Sequence, residues 1–513
     1  MKRPVINIVW LKRDLRLRDH ASLRAAIRDG RPTVLLYCFE PSLIATPQSD
    51  VRHWRFVRQS LDDMNRRLLS FGQRILTVHD EVMPTLDWLH THFAIQNLWS
   101  HEEVGLKITF DRDKAVKRFC TVHGIAYREF GQDGILRGQQ HRDGWTDFVQ
   151  QHFTSPIVEV DLKDLPGPPA FGGFAHTESV NHHLLDPAIL TDQPEMQVGG
   201  ETLAWRYLQS FLTDRYRNYS RTLSKPTGSR RSCSRMSPYL AYGNVSVREL
   251  WQWCDRQRQS VRDEYNLPNF QSRLYWRSHY LQKMESYWQL EFEAINPALN
   301  DLDRQHNPEF LNAWTAGRTG FPMVDASMRC LAATGWLNFR MRAMLITFTT
   351  FALWLDWRPV AERLARLFLD FEPGIHYPQI QMQAGLTGYH LLRLFNPTHQ
   401  IRQHDPDGGF VKHWVPELRD VPAHLLAEPW RLTPMEQAFY SCRIGTDYPH
   451  PIVDYDAAVR RNKARYWKLR QQPAVKAELP AIWRRLCVAT DIGRYQKELL
   501  TSEASDVEDT LPF

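Results

Sequence analysis

Short apolar runs alternate with longer amphipathic ones over the first quarter of the chain. Residues 5–10 (Val-Ile-Asn-Ile-Val-Trp) and 33–39 (Thr-Val-Leu-Leu-Tyr-Cys-Phe) are compact apolar segments of the kind that fill buried parallel strands. Residues 75–78, 95–99 and 125–130 are three more. A helical pattern covers 51–69, where Trp54, Val57, Leu61, Met64 and Leu68 recur on one face. This alternation predicts an α/β domain over 1–135, built on a doubly wound parallel sheet that receives ligands beyond its strand C-termini. Residues 136–200 read as a connector, punctuated by Leu-Pro-Gly-Pro-Pro-Ala-Phe-Gly-Gly-Phe at 165–174. From 201 to 490 the spacing is helical, which predicts a large all-α C-terminal domain. Residues 491–513 read as an acidic tail.

Composition narrows the class. The 513 residues suffice for two or three domains, and eighteen Trp argue against a disordered chain. A net charge of +6 suits an anionic partner without requiring one. Seven Cys at positions 38, 120, 233, 254, 330, 442 and 487 include no CxxC pair. That reads as reduced thiols in a soluble, cytoplasmic protein, and it supports neither a zinc site nor an iron–sulfur cluster; no metal site is predicted. No signal-type run opens the chain and no eighteen-residue apolar stretch occurs, so no membrane partner is expected. Neither a GxGxxG nor a P-loop phosphate motif is present.

Chemistry concentrates in the helical part. Residues 313–344 lead from a Gly/Pro-punctuated turn into a helical run carrying Asp325, Arg329, Arg340 and Arg342 among apolar residues. Charge at that density calls for an anion or an opposing carboxylate. Upstream, Ser234, Arg235 and Met236 precede an apolar helical run that begins near Ser237-Pro238. A hydroxyl residue before Pro at a helix start leaves free N–H groups that can hold a phosphate. Taken alone, a solvated basic loop capping an ordinary helix is the plainer reading.

These segments, with others, resemble the photolyase/cryptochrome family. The remaining matches are Val9-Trp-Leu-Lys-Arg-Asp-Leu-Arg-Leu-Arg-Asp-His, Arg273-Leu-Tyr-Trp-Arg-Ser-His-Tyr, Leu369-Asp-Phe-Glu, Leu394-Phe-Asn-Pro-Thr-His-Gln and Gly409-Phe-Val-Lys-His-Trp-Val-Pro-Glu-Leu. Their shared order across 1–140 and 200–425 carries the resemblance. It implies FAD as cofactor, with Tyr219, Ser234, Arg235, Met236 and Ser237 at the diphosphate. Arg277, Asn338, Arg342, Asp370, Glu372 and His376 would complete the cofactor site. Arg342 and Asp370 would form a buried pair, and Glu372 would accept hydrogen bonds from the isoalloxazine or ribityl groups. Trp276 would stack on an extruded base of lesion-containing DNA, single- or double-stranded, and Trp357 would keep the middle place in the electron-transfer chain. Glu102, Glu103 and residues 111–113 stand where relatives hold an antenna chromophore, folate or deazaflavin, a question the sequence leaves open.

The chain also departs from the family pattern. Arg273 stands where dimer-repairing enzymes carry a Glu, Ala343 replaces a Met, Met382 replaces a Trp, and Phe339 replaces an Asn. His376 takes the place of the N5-facing Asn or Asp, where an imidazole could donate to or exchange a proton with N5. The plainer alternative is a His satisfied by backbone. Ile380 replaces the Trp nearest the flavin and Arg304 the surface one; Trp354, Tyr377 or Trp336 could serve as another route or as core. The resemblance therefore implies a FAD-dependent, blue-light-driven DNA photolyase-like enzyme, passing an electron from excited reduced flavin to a pyrimidine lesion. Trp276, His376, Arg273 and Trp357 form its catalytic set. The alternative is a cryptochrome-like blue-light receptor with a protein signalling partner, for which the short acidic tail leaves little room. A third reading is a degenerate member that binds nucleic acid without using flavin.

Overall fold

The computed structural model describes residues 3–168, 179–180, 185–300 and 302–504. Its sheet has six parallel strands in the order β5-β4-β1-β2-β3-β6. They are β1 Val5–Trp10, β2 Thr33–Cys38, β3 Ile75–Val78, β4 Ala94–His101, β5 Ala126–Phe130 and β6 Ser179–Val180. Every residue of β2 is buried, which explains its uninterrupted apolar run: helices cover both faces of a parallel sheet. The chain runs β1, β2, β3 to one side and returns to lay β4 and β5 on the other. The crevice between the C-terminal ends of β1 and β4 is thus the switch point where such sheets take ligands.

The helix expected over 51–69 spans Val51–Leu68 and starts on an Asp50 capping box, with His53 as the reciprocal partner. The stretch read as a connector holds more structure than expected. Trp145–Thr154 is a helix whose Trp145, Val149 and Phe153 are buried, and Phe153 stacks on Trp251 at 4.5 Å. Ser179–Val180 pairs with Thr77 and Val78 and extends the sheet. The Pro/Gly-rich residues 169–174 lie outside the described residues.

The C-terminal part is helical, as expected, and shares a core with the sheet domain. Phe56 of the first domain meets Tyr239 at 5.5 Å and Tyr242 at 5.0 Å, inside one apolar cluster that also holds Leu11, Tyr37 and Phe211. Arg13 crosses the same boundary and donates to the carbonyls of Ala241 (3.0 Å) and Phe371 (3.1 Å). The two domains are therefore packed into one unit around the crevice. The expected acidic tail is helical over Ala489–Ala504, with Tyr495 buried against the core; residues 505–513 lie outside the described residues. Among the described residues no helix is long and apolar enough to cross a membrane.

Candidate functional site

Residues 233–237 form a loop whose carbonyls and amides are sorted to opposite uses. The Arg215 guanidinium grips the carbonyl of Cys233 and donates to those of Tyr207 (2.7 Å) and Ser234 (3.4 Å). Arg235 adopts φ +62°, a left-handed conformation that turns the chain sharply into the Ser237–Ala241 helix. Among the described hydrogen bonds, the amides of Ser234, Arg235 and Ser237 take no acceptor. The Arg235 side chain is buried, donates to Gln197 Oε1 at 2.9 Å and lies over Trp336 at 4.3 Å, but pairs with no carboxylate among the described residues. Burial, with Arg230 nearby, pulls its pKa down to about 10. Free amides around an uncompensated buried cation fit the diphosphate of a dinucleotide cofactor. Tyr219 is buried beside them against Phe211 and Phe270.

Two arginine–carboxylate pairs follow, the Arg342–Asp370 pair half-buried and the Arg277–Glu372 pair buried. Arg342 donates to both Asp370 oxygens, at 3.0 and 2.7 Å, and its Nε to the Leu337 carbonyl at 2.9 Å. Its guanidinium lies over Phe368 at 4.0 Å. Arg277 donates to Glu372 at 2.5 and 3.2 Å and to Asp133 at 2.6 Å. Burial opposes the Arg277 charge, yet Asp133 and Glu372 outweigh it and raise its pKa. Both Glu372 oxygens are thus engaged by Arg277, so any flavin contact would use their remaining lone pairs. Asn338 caps the Phe339–Thr347 helix by position, and its Nδ2 donates to the Leu223 carbonyl at 3.2 Å. Its Oδ1 is buried without a partner, an acceptor left open.

His376 belongs to the Pro373–Gln383 helix, and its Nε2 bonds the Ala361 carbonyl at 2.9 Å. A carbonyl only accepts, so Nε2 carries the proton and Nδ1 is the acceptor. Burial draws the pKa down to about 4, which the Ala361 bond only partly offsets. The expected role narrows accordingly: the neutral ring can receive a proton or hydrogen bond at Nδ1 and has none to give there.

The remaining predicted residues divide between a wall and an aromatic chain. Trp276 is half-buried, edge-on to His279 at 5.3 Å and tilted to Tyr280 at 6.0 Å, while Met382 Sδ accepts from Tyr280 Oη at 3.9 Å. Arg273 is exposed and donates to Asn269 at 3.1 Å. Ala343 is buried and Phe339 is 52% exposed. Trp357 meets Tyr377 edge-on at 6.3 Å, and Tyr377 meets His376 at 5.4 Å. Arg304 lies over Phe351 and Trp354 at 5.4 and 5.3 Å.

At the switch point lies a half-open crevice lined by Trp10, Tyr37, Trp54, Tyr242 and Phe371 among others. Its cations are neutralised in place: Arg112 pairs with Glu40 (2.7 Å) and Glu103 (2.6 Å), and Lys12 with Asp113 (2.7 Å). Glu103 lines the crevice, whereas Glu102 does not. Burial raises the Glu102 pKa to about 7. Behind it, Asp14 Oδ2 lies 2.8 Å from His101 Nδ1 and 3.2 Å from His20 Nε2, all three buried and within metal-ligand reach of one another. His20 Nδ1 accepts from the Leu23 amide at 3.2 Å, which leaves Nε2 as the ring nitrogen on the Asp14 side. The trio is a buried carboxylate set between two imidazoles. Burial works to raise the Asp14 carboxyl, but the two histidine bonds hold it well below the usual range.

Sequence reasoning missed Arg215, Gln197 and Asp133. Each acts on a predicted residue through the fold, and a lone Arg, Gln or Asp in a polar stretch carries no spacing signal.

The doubly wound sheet, the helical domain and the free-amide loop define an FAD-binding, two-domain flavoprotein class. Two family models match: DNA photolyase over residues 7–154, and the FAD binding domain of DNA photolyase over residues 270–468. The chain belongs to the photolyase/cryptochrome family. It is 26% identical to cryptochrome DASH of Synechocystis sp. over 481 residues, covering 90% of this chain and 97% of that protein. It is 28% identical to the deoxyribodipyrimidine photo-lyase of Alkalihalophilus pseudofirmus over 483 residues, again 90% and 97%. The crystal structure of the Synechocystis sp. PCC6803 cryptochrome superposes with a TM-score of 0.81 at 24% identity, over 90% of this chain and 99% of that one. Relatives of both kinds, repair enzyme and cryptochrome, thus span nearly the whole chain.

Proposed function

We propose that this protein is a FAD-dependent, blue-light-driven DNA photolyase-like enzyme acting on a pyrimidine lesion. The observation that carries this reading is a rim of cations without counter-charges. Arg217, Arg221, Lys225, Arg231, Arg273 and Arg393 are exposed, and none forms an ion pair among the described residues. Arg230 and Arg340 stand with them, half-buried and equally unpaired. Arg217, Arg221, Arg230 and Arg231 lie on the short helices that lead into the diphosphate loop, and Arg273 lies on the helix that carries Trp276. Phosphates neutralise such a rim, and Trp276 with exposed Phe339 offers apolar faces to an extruded base. Bound FAD supplies light-driven one-electron chemistry. The chain's own residues hold it: the 233–237 amides and Arg235 at the diphosphate, the Arg342–Asp370 pair and Asn338 further in. His376 keeps a lone pair at Nδ1 for a proton, and Trp357 with Tyr377 forms the aromatic path that replaces the one broken at Ile380.

The receptor reading is favoured by one observation: Arg273 holds Asn269 where a carboxylate would face the lesion, so the acidic contact of dimer repair is missing. For the crevice, aromatic walls and internally neutralised cations favour an uncharged planar chromophore as antenna. The test is direct. The FAD-loaded protein is illuminated with oligonucleotides carrying cyclobutane or (6-4) lesions, and repair of either is expected. Stoichiometric FAD with intact lesions in both arms would sink the enzyme reading and leave the receptor. A protein that FAD cannot load would sink both.

A further inference from the structure

Away from the flavin site and the crevice, one group of buried side chains has hydrogen-bond donors and no acceptors. Arg142, in the turn before the Trp145–Thr154 helix, is 4% exposed. Its Nη2 donates to His279 Nδ1 at 2.7 Å and its plane lies over Trp145 at 4.1 Å, while Nε and Nη1 are enclosed without acceptors. Because His279 Nδ1 accepts, the proton of the neutral ring is on Nε2, and that buried N–H is unpartnered too. Lys283 stands one turn further along the same face of the Asn266–Ser286 helix. It is 2% exposed, faces the Tyr280 ring at 5.4 Å and forms no hydrogen bond or ion pair among the described residues. Tyr389 Oη, from the 387–390 turn, is enclosed as well, with the Cys487 thiol beside it and no nitrogen or oxygen partner among the described residues.

Among the described residues no carboxylate forms an ion pair with either cation. The carboxylate that acts on both, Asp491, is held by Arg494 at 3.1 Å. The Cys487 thiol beside them is kept protonated by its burial. Two buried cations with free donors and no acceptor are among the most costly arrangements a core can hold, unless an anion completes them. Chains of paired donors alone do not relieve that cost.

We propose that Arg142, His279, Lys283 and Tyr389 form a buried oxyanion site, separate from the flavin diphosphate loop. It takes a small phosphate or carboxylate group, either as the free anion or as the acidic arm of a larger ligand. Arg142 and Lys283 supply charge, and His279 Nε2 and Tyr389 Oη supply neutral donors. His279 also meets Trp276 edge-on at 5.3 Å, so an occupant braces the wall that carries Trp276.

The test uses full-length, FAD-loaded protein, so that the diphosphate loop is already filled. Native mass spectrometry first reads any anion carried through purification. Thermal melts then replace chloride stepwise by inorganic phosphate or by acetate at constant ionic strength. The expected result is a co-purified anion mass, or a saturable rise in Tm in one arm, that Lys283→Met abolishes and Lys283→Arg retains. The phosphate arm would name a phosphate group and the acetate arm a carboxylate. Tyr389→Phe, which keeps both cations, weakens the midpoint several-fold and covers the case in which Lys283→Met does not fold. No bound mass together with an absent or unsaturable rise, equal in wild type and variants, would overturn the site.

Discussion

His376 shows how one hydrogen bond decides a side chain's chemistry. With Nε2 committed to the Ala361 carbonyl and its pKa near about 4, the ring is neutral at physiological pH and accepts at Nδ1. In the FAD-loaded protein, His376→Ala is expected to change the lifetime of the light-reduced flavin. The wild-type lifetime should be flat between about pH 5.5 and 8, where an ordinary histidine would titrate. A step near pH 6.5 would show that the imidazole ionises and refute the assignment. His101 makes a stability prediction of the same kind. Burial, with His20 beside it, lowers its pKa from 6.5 to about 4, so between these values the unfolded chain binds a proton that the folded one refuses. The stabilisation is full above pH 6.5 and is lost as pH falls toward 4, on the order of 3 kcal/mol at 1.36 kcal/mol per unit. Urea unfolding of His101→Asn across that range should show a flatter acid limb than wild type.

At the scale of elements, one glycine positions the Arg342–Asp370 pair. The Pro322–Thr334 helix ends at Gly335 with φ +70°, whose carbonyl accepts from the Leu369 amide at 2.9 Å. A Cβ there would sit 2.8 Å from Leu369 Cβ, next to Asp370. Gly335→Ala therefore combines left-handed strain with a contact that must shift, costing about 1–3 kcal/mol. It should also weaken FAD retention, measured by gel filtration with flavin absorbance; unchanged retention would separate the turn from the pair. The central strands were legible because their apolar runs are buried on both faces, as in β2, whereas the edge strand β5 has no buried residue and shows only as a short β-type run. Ser179–Val180 was not, since a two-residue edge strand leaves no period to read and exists only because β3 offers an open edge.

For the whole molecule, the unpaired rim makes DNA affinity depend on salt. Each phosphate neutralised in duplex DNA contributes about 0.9 to the slope of log K against log salt. Replacing Arg230 and Arg231 together by Ala should reduce that slope by about 1–2 and weaken all sequences alike, while flavin content stays constant. A fluorescence anisotropy titration at several salt concentrations measures it. An unchanged slope would remove this stretch from the DNA path.

The sequence by itself determined the two-domain order, five of the strands and the pairing of Arg342 with Asp370. Those follow from local burial patterns and from motifs kept in family order. Only the tertiary structure decided that Arg277 is shared by Glu372 and Asp133, that Arg215 and Gln197 shape the diphosphate loop, and that His376 has spent its proton on a carbonyl. It also brought Arg142, Lys283 and Tyr389 together from three distant segments. A charge's partner, and a ring's tautomer, are set by what the fold places within about 3 Å, and spacing along the chain carries no record of that.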